Sequence, residues 1–297
     1  MLYSIADLEQ LSGIQSHTIR IWERRYNALK PMRTLGNTRL YDDFQLRKLL
    51  NIASLNQSGL KISKICSLAN NDMERLLNEQ LSLAPEQARF EYYVSQLLKL
   101  GLAYNEIGFD KLLTNCISKF GILDAYREII YPILVRLGLM WRKDDICPAQ
   151  EHFLTNIIKK KIYAAIDRLP LSESATETWL LFLPEDEDHE IGLLFANYLL
   201  KAAGKGVFYL GSKVPLKSVK IVLQENSINK ILLFVTRSKP KAQAQKYLDN
   251  LRETCSPAEI YLAGNDYLIR QLTLGDTVSQ VNSLDAFEKL IENQPIV

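Results

Sequence analysis

The chain has three histidines, His17, His152 and His189, so imidazole chemistry has three possible places. His189 stands in Glu187-Asp188-His189-Glu190-Ile191-Gly192, directly after the apolar run TWLLFL at 178–183. Open α/β sheets bind ligands beyond the carboxyl ends of their strands, and this segment occupies such a place. Read alone, it is equally an acidic, solvated loop with one surface histidine. His152 follows Glu151, with nine residues between Trp141 and Glu151. Alone, that pattern is a bundle-core tryptophan and a glutamate favoured by a helix N-terminus. The four cysteines (66, 116, 147 and 255) form no C-x-x-C pair, so a zinc site is not expected. Isolated cysteines are usually small buried apolar residues of a reduced compartment. There is no P-loop, G-x-G-x-x-G or nucleophile motif. Gly204-Lys205-Gly206 is too short to carry meaning, and Lys159-Lys160-Lys161 reads as a solvated helix face. No catalytic residue is expected.

His17 belongs to a different chemistry. From Ser12 to Tyr41 the text is SGIQSHTIRIWERRYNALKPMRTLGNTRLY. Ser4 can cap a first helix that buries Ile5, Leu8 and Leu11, and Gly13 is free to take a sharp turn. A second helix then turns Ile14, Ile19 and Trp22 inward. Gln15, Ser16, His17, Thr18 and Arg20 are left near its exposed start, where short polar and basic side chains suit entry into a major groove. Arg24, Arg25 and Tyr26 follow. Gly36-Asn37 signals a hairpin, so a small wing would present Arg33, Arg39 and Tyr41 to phosphates or a minor groove. Residues 1–70 hold ten Lys/Arg and five Asp/Glu, a net of +5, while the whole chain is +2. The basic excess therefore sits where a nucleic-acid surface is expected.

The elements that must position these residues follow in order. Asp42-Asp43 opens a helix along Phe44, Leu46, Leu49, Leu50 and Ala53, which Gly59 breaks, and a short helix through Ile65 and Leu68 comes next. Residues 71–86 read as a linker with a short helix over 73–81. From 86 to 169 the period indicates four helices joined by short Gly-containing connections. The third runs from about Leu123 to Trp141, with Pro132 expected to kink or split it. Residues 170–178 (PLSESATET) form a second linker. Short apolar runs at 178–183, 206–211, 230–236 and 259–264, with a last strand near 278–282, then alternate with amphipathic segments at 190–203, 216–226 and 240–254. That alternation indicates a parallel, doubly wound sheet. No apolar run reaches the roughly 18 residues of a membrane span, and MLYSIADLEQ has neither the basic nor the apolar region of a signal peptide. A cytoplasmic protein with no membrane partner is expected.

The first seventy residues resemble the winged helix-turn-helix of the MerR family of transcription regulators. The remainder resembles a cobalamin-binding module, as in regulators of the CarH/LitR type. The fold implied is multidomain, mostly α plus α/β: a winged helix-turn-helix over 1–70, a four-helix bundle over 86–169 and a flavodoxin-like Rossmann domain with a parallel sheet over 176–297. The resemblance implies a sequence-specific regulator of double-stranded promoter DNA with a ligand-sensing module of a kind that includes light-responsive members, acting as a homo-oligomer (dimer or tetramer), with RNA polymerase as a further partner. It implies cobalamin, as adenosylcobalamin or methylcobalamin. Trp141, Glu151 and His152 would cover the upper face. His189 would ligate cobalt, Glu187 would orient its ring, and Gly192 and Gly264 would line the cofactor site. Glu187 replaces the usual aspartate of Asp-x-His-x-x-Gly. Phe234-Val235-Thr236 stands for Ser-x-Leu, Ala263-Gly264 for Gly-Gly, and Arg142 for a histidine that photoreceptor members carry. The alternative is a cobalamin-independent regulator whose degenerate Rossmann module serves oligomerisation or partner binding. An enzyme, such as a cobalamin-dependent methyl carrier, is a third and weaker reading.

Overall fold

The computed structural model describes residues 2–34, 36–57, 59–69, 72–73, 75–76, 86–141, 147–170, 177–237 and 239–292. The chain divides into two compact units, Met1–Ile157 and Ile158–Val297. The expected helix over 73–81 lies for the most part outside the described residues, as does the second linker over 171–176.

The first unit opens with β1 (Leu2–Tyr3), α1 (Ile5–Ser12), α2 (Ser16–Tyr26), β2 (Met32–Arg33), β3 (Arg39–Asp42), α3 (Asp43–Gln57) and α4 (Ile62–Cys66). Ser4 and Asp7 form a reciprocal capping box at α1: the Asp7 N–H donates to Ser4 Oγ and the Ser4 N–H to Asp7 Oδ2. Gly13 ends the helix at φ +70°, left-handed backbone that costs glycine little. β2 and β3 form the expected hairpin, and β1 pairs with the other edge of β3.

Four further helical stretches complete the unit: α5 (Glu86–Leu102), α6 (Glu106–Ala125), a π-helical turn (Tyr126–Ile130) running into α7 (Tyr131–Trp141), and α8 (Pro148–Asp167), which continues into the second unit. Gly121 interrupts α6 with extended, left-handed backbone (φ 79°, ψ 164°), so the helical direction changes there. Pro132 is expected to kink or split the third helix, and a π turn immediately precedes it there, with the Tyr131 N–H donating to Tyr126 O. A wide turn of this kind lets a helix continue past a residue that has no N–H to give. The bundle packs on the N-terminal helices through Ser54 and Ser95, whose hydroxyls lie 2.7 Å apart. Arg136 of α7 donates to Leu11 O and to Glu91 Oε2.

The second unit holds β4 (Thr178–Pro184), α9 (Ile191–Ala202), β5 (Gly206–Val214), α10 (Leu216–Glu225), β6 (Lys230–Val235), α11 (Lys241–Cys255), β7 (Glu259–Gly264), α12 (Asp266–Ile269), β8 (Val278–Gln280) and α13 (Leu284–Glu292). All five strands are parallel, in the order β5-β4-β6-β7-β8. Alternate residues feed opposite faces. Leu180, Phe182, Ile231 and Leu233 pack with Val219, Leu248 and Leu251, and Trp179, Leu181 and Leu232 pack with Leu193, Leu200 and Phe287. The order reverses between β4 and β6, which puts the switch point of the sheet, where such folds bind ligands, directly after TWLLFL. Among the described residues no helix is long and apolar enough to cross a membrane.

At the opposite end of the sheet a buried ion pair ties β6 to the residue before β4. Lys230 Nζ lies 2.8 Å from Glu177 Oε2, with the two side chains 5% and 10% exposed. Trp179 Nε1 donates to the other carboxylate oxygen. Without Lys230 the Glu177 carboxylate keeps the Trp179 donor and Lys205 Nζ at 3.7 Å but loses its nearest charge. Lys230→Ala should lower the unfolding free energy by about 3 kcal/mol in urea denaturation, and a loss below about 1 kcal/mol would show that Glu177 is satisfied without it.

Candidate functional site

Two sites emerge, one in each unit. In the first, α2 presents Gln15, His17, Arg20, Arg24 and Arg25 to solvent, and Arg33 is exposed in the wing. Thr18 and Tyr26 are half-buried beside them. Ser16 is held by Glu9, which accepts from both its N–H and its hydroxyl at the start of α2.

Tyr41 requires a correction. It was expected to face a nucleic acid, but it is fully buried. The cause is β1, which makes β3 a central strand and sets Tyr41 opposite the equally buried Tyr3. The Tyr41 hydroxyl donates to Glu23 Oε2 at 2.9 Å. Burial, then this bond, push its pKa up. Arg39, two residues earlier on the same strand face, donates from Nε to the same carboxylate at 3.0 Å and is half-buried. Arg39 Nε also lies 3.3 Å from the second carboxylate oxygen, so Glu23, which no sequence motif marks, joins α2 to the wing by three contacts.

In the second unit the residues after β4 build a compact polar knot. Glu187 is fully buried. Its Oε2 accepts from the backbone N–H of Thr236 (2.7 Å) and Arg237 (2.8 Å), just beyond β6. Its Oε1 accepts from the N–H of Asp188 and His189 and lies 2.5 Å from His189 Nδ1. Burial alone would raise the carboxyl pKa, but the His189 bond and the backbone donors hold it at about 2. The hydrogen bond to Glu187 raises the His189 pKa, and burial opposes it. The imidazole is half-exposed, and with Nδ1 engaged, Nε2 is the nitrogen available to a metal. Among the described residues Glu187, Asp188 and His189 form one cluster whose ligand atoms lie within 4.8 Å of one another. Asp188 is drawn aside by Arg237 (3.3 Å) and Lys213 (3.6 Å). Glu190 accepts from the Tyr209 hydroxyl at 2.8 Å and lies 3.7 Å from Lys159, so Lys159 is not part of a solvated lysine face.

The MerR HTH family regulatory protein model matches residues 3–71, and the B12 binding domain model matches residues 93–166. The HTH-type transcriptional repressor CarH of Myxococcus xanthus is 31% identical over 216 residues, 72% of either chain. The chain belongs to the MerR family. It is a MerR-type DNA-binding regulator with a B12-binding domain, a module for a cobalamin-type cofactor. The HTH-type transcriptional repressor CarA of the same organism is 24% identical over 267 residues, covering 89% of this chain and 87% of its own. The monomethylamine corrinoid protein of Methanosarcina barkeri shares the fold, with 16% identity and a TM-score of 0.54 over 68% of this chain and 98% of its own.

The remaining expected cofactor residues fall as follows. Trp141 ends α7, its side chain outside the described residues together with Arg142. Glu151 and His152 lie in the first turn of α8, with His152 Nδ1 2.8 Å from Glu151 Oε2. Gly192 is the second residue of α9 and touches the Phe234 ring. Gly264 ends β7 at φ +116°, so close to β6 that a Cβ would lie 2.5 Å from Val235 O. Cys116 and Cys255 are buried, with burial raising each thiol pKa to about 12.

Glu187→Ala would strand the Thr236 and Arg237 N–H groups. The substitution should lower the unfolding free energy by about 1–3 kcal/mol. It should also bring the His189 pKa down toward the ordinary value of about 6.5, read by NMR titration. An unmoved His189 titration would show that the carboxylate does not control the ring.

Proposed function

We propose that this regulator grips promoter DNA with the exposed face of α2 and the Arg33 wing tip, and that a corrinoid ligated by His189 governs that grip. The observation that carries the DNA-binding reading is the row Arg20, Arg24 and Arg25 on one exposed helix, fixed to the wing through Glu23. Exposed arginines with short polar neighbours at a helix start contact base edges and phosphates. Gln15, His17 and Thr18 belong to this surface, Ser16 positions the helix start, and Arg39 and Tyr41 brace the wing from within.

The donor set in the second unit fits a corrinoid's metal. His189 offers Nε2, and Glu187 fixes the tautomer by accepting from Nδ1. A bound corrinoid supplies the metal centre whose ligand state is sensed. Gly192 at the start of α9 and Gly264 at the end of β7 keep the backbone around this site close-packed. The chain acts as a homo-oligomer, because a helix-turn-helix reads half-sites in pairs, and it meets RNA polymerase on the promoter. It regulates and does not catalyse.

A duplex enriched from a random-sequence library by the full chain provides the probe. Arg20→Ala should weaken binding by about 1–3 kcal/mol and relax specificity. Arg33→Ala should reduce the salt slope by about one counterion with specificity intact. Unchanged affinity and slope in both variants would contradict this docking surface.

A further inference from the structure

We propose that Phe234 selects the corrinoid: it fills the space beside His189 that the nucleotide base of a complete cobalamin would need, so His189 ligates a corrinoid lacking that base in preference to cobalamin. The inference rests on the reading of His189 as the metal ligand.

Cobalamin carries its base on a tether from the lower face of the corrin. A histidine that takes the lower position displaces the base but not the tether. The base then stays on the histidine's side of the ring, which is the protein side. Glu187 is fully buried and its oxygens are engaged by Thr236, Arg237 and His189. Asp188 is paired with Arg237 and Lys213. The start of α9 offers bare backbone at Gly192, three residues beyond His189, but the Phe234 ring lies on it. A Cβ at 192 would stand 2.7 Å from Phe234 Cε1, 3.2 Å from Cζ and 3.3 Å from Cδ1. The ring also packs against the buried cluster that includes Leu193 and Ala263, the latter being its partner across β7. Beside it a Cβ at Gly264 would stand 2.5 Å from Val235 O, so β7 lies close on β6 there. Entry of an aromatic base would drive Phe234 out of this cluster and into water. A corrinoid without the base meets no such demand.

Electron paramagnetic resonance of the Co(II) corrinoids decides this, using the full chain labelled with ¹⁵N. A cobalt held by His189 shows the doublet splitting of ¹⁵N, and one holding its own base shows the triplet of ¹⁴N. Cob(II)inamide, which has no base, should give the doublet with the wild type. Cob(II)alamin should give the triplet, or not be retained. Phe234→Ser, checked for folding by circular dichroism, should give the doublet with both and should raise cobalamin affinity by on the order of tenfold or more. A doublet from wild-type cob(II)alamin overturns the role of Phe234 and leaves His189 ligation standing, and this arm needs no variant. Retention of neither corrinoid by the wild type overturns the underlying reading, and the inference with it.

Discussion

The buried carboxylate of Glu187 governs the second half of the molecule. A fully buried carboxylate is tolerable only if its oxygens are saturated with donors. Here the donors are the backbone after β4, the backbone after β6 and the His189 ring. One side chain thus ties together the two strand ends that flank the switch point and aims the imidazole. The ring's position is not a property of a free loop. It is held by a buried carboxylate whose other donors are backbone N–H groups fixed at both strand ends.

The first half uses the same device in weaker form. Glu23 is half-buried on α2 and collects Arg39 and Tyr41 from the wing. The recognition helix and the wing are held in register by an acidic residue lying inside a basic surface. A charge count of the first seventy residues registers Glu23 only as a subtraction, while in the fold it positions the positive charges around it.

This contrast explains what the sequence could show. The exposed arginines of α2 were legible because helical period and an inward Ile19 and Trp22 leave them one face. The place of His189 was legible because TWLLFL is long enough to be a strand and its carboxyl end is where such sheets bind. The inward turn of Tyr41 was not legible, because it depends on β1, a strand of two residues with no periodicity to read. The π turn before Pro132 was hidden for a similar reason: period and proline mark an irregularity but not its form. Phe234 and Gly192 could each be singled out by position, yet only folding shows a ring lying on bare backbone. α13, Leu284–Glu292, escaped the reading although its apolar residues recur at helical spacing.

A B12-binding domain and a DNA-binding surface in one chain are useful only if ligand binding alters the grip on DNA, and the proposed control runs through His189. The direct measurement is the affinity of the full chain for its selected duplex, with and without saturating cobinamide, in the wild type and in His189→Ala. The account predicts an affinity that shifts with the corrinoid in the wild type and stays constant in the variant. An unchanged affinity in the wild type, or an equal shift in His189→Ala, would contradict it.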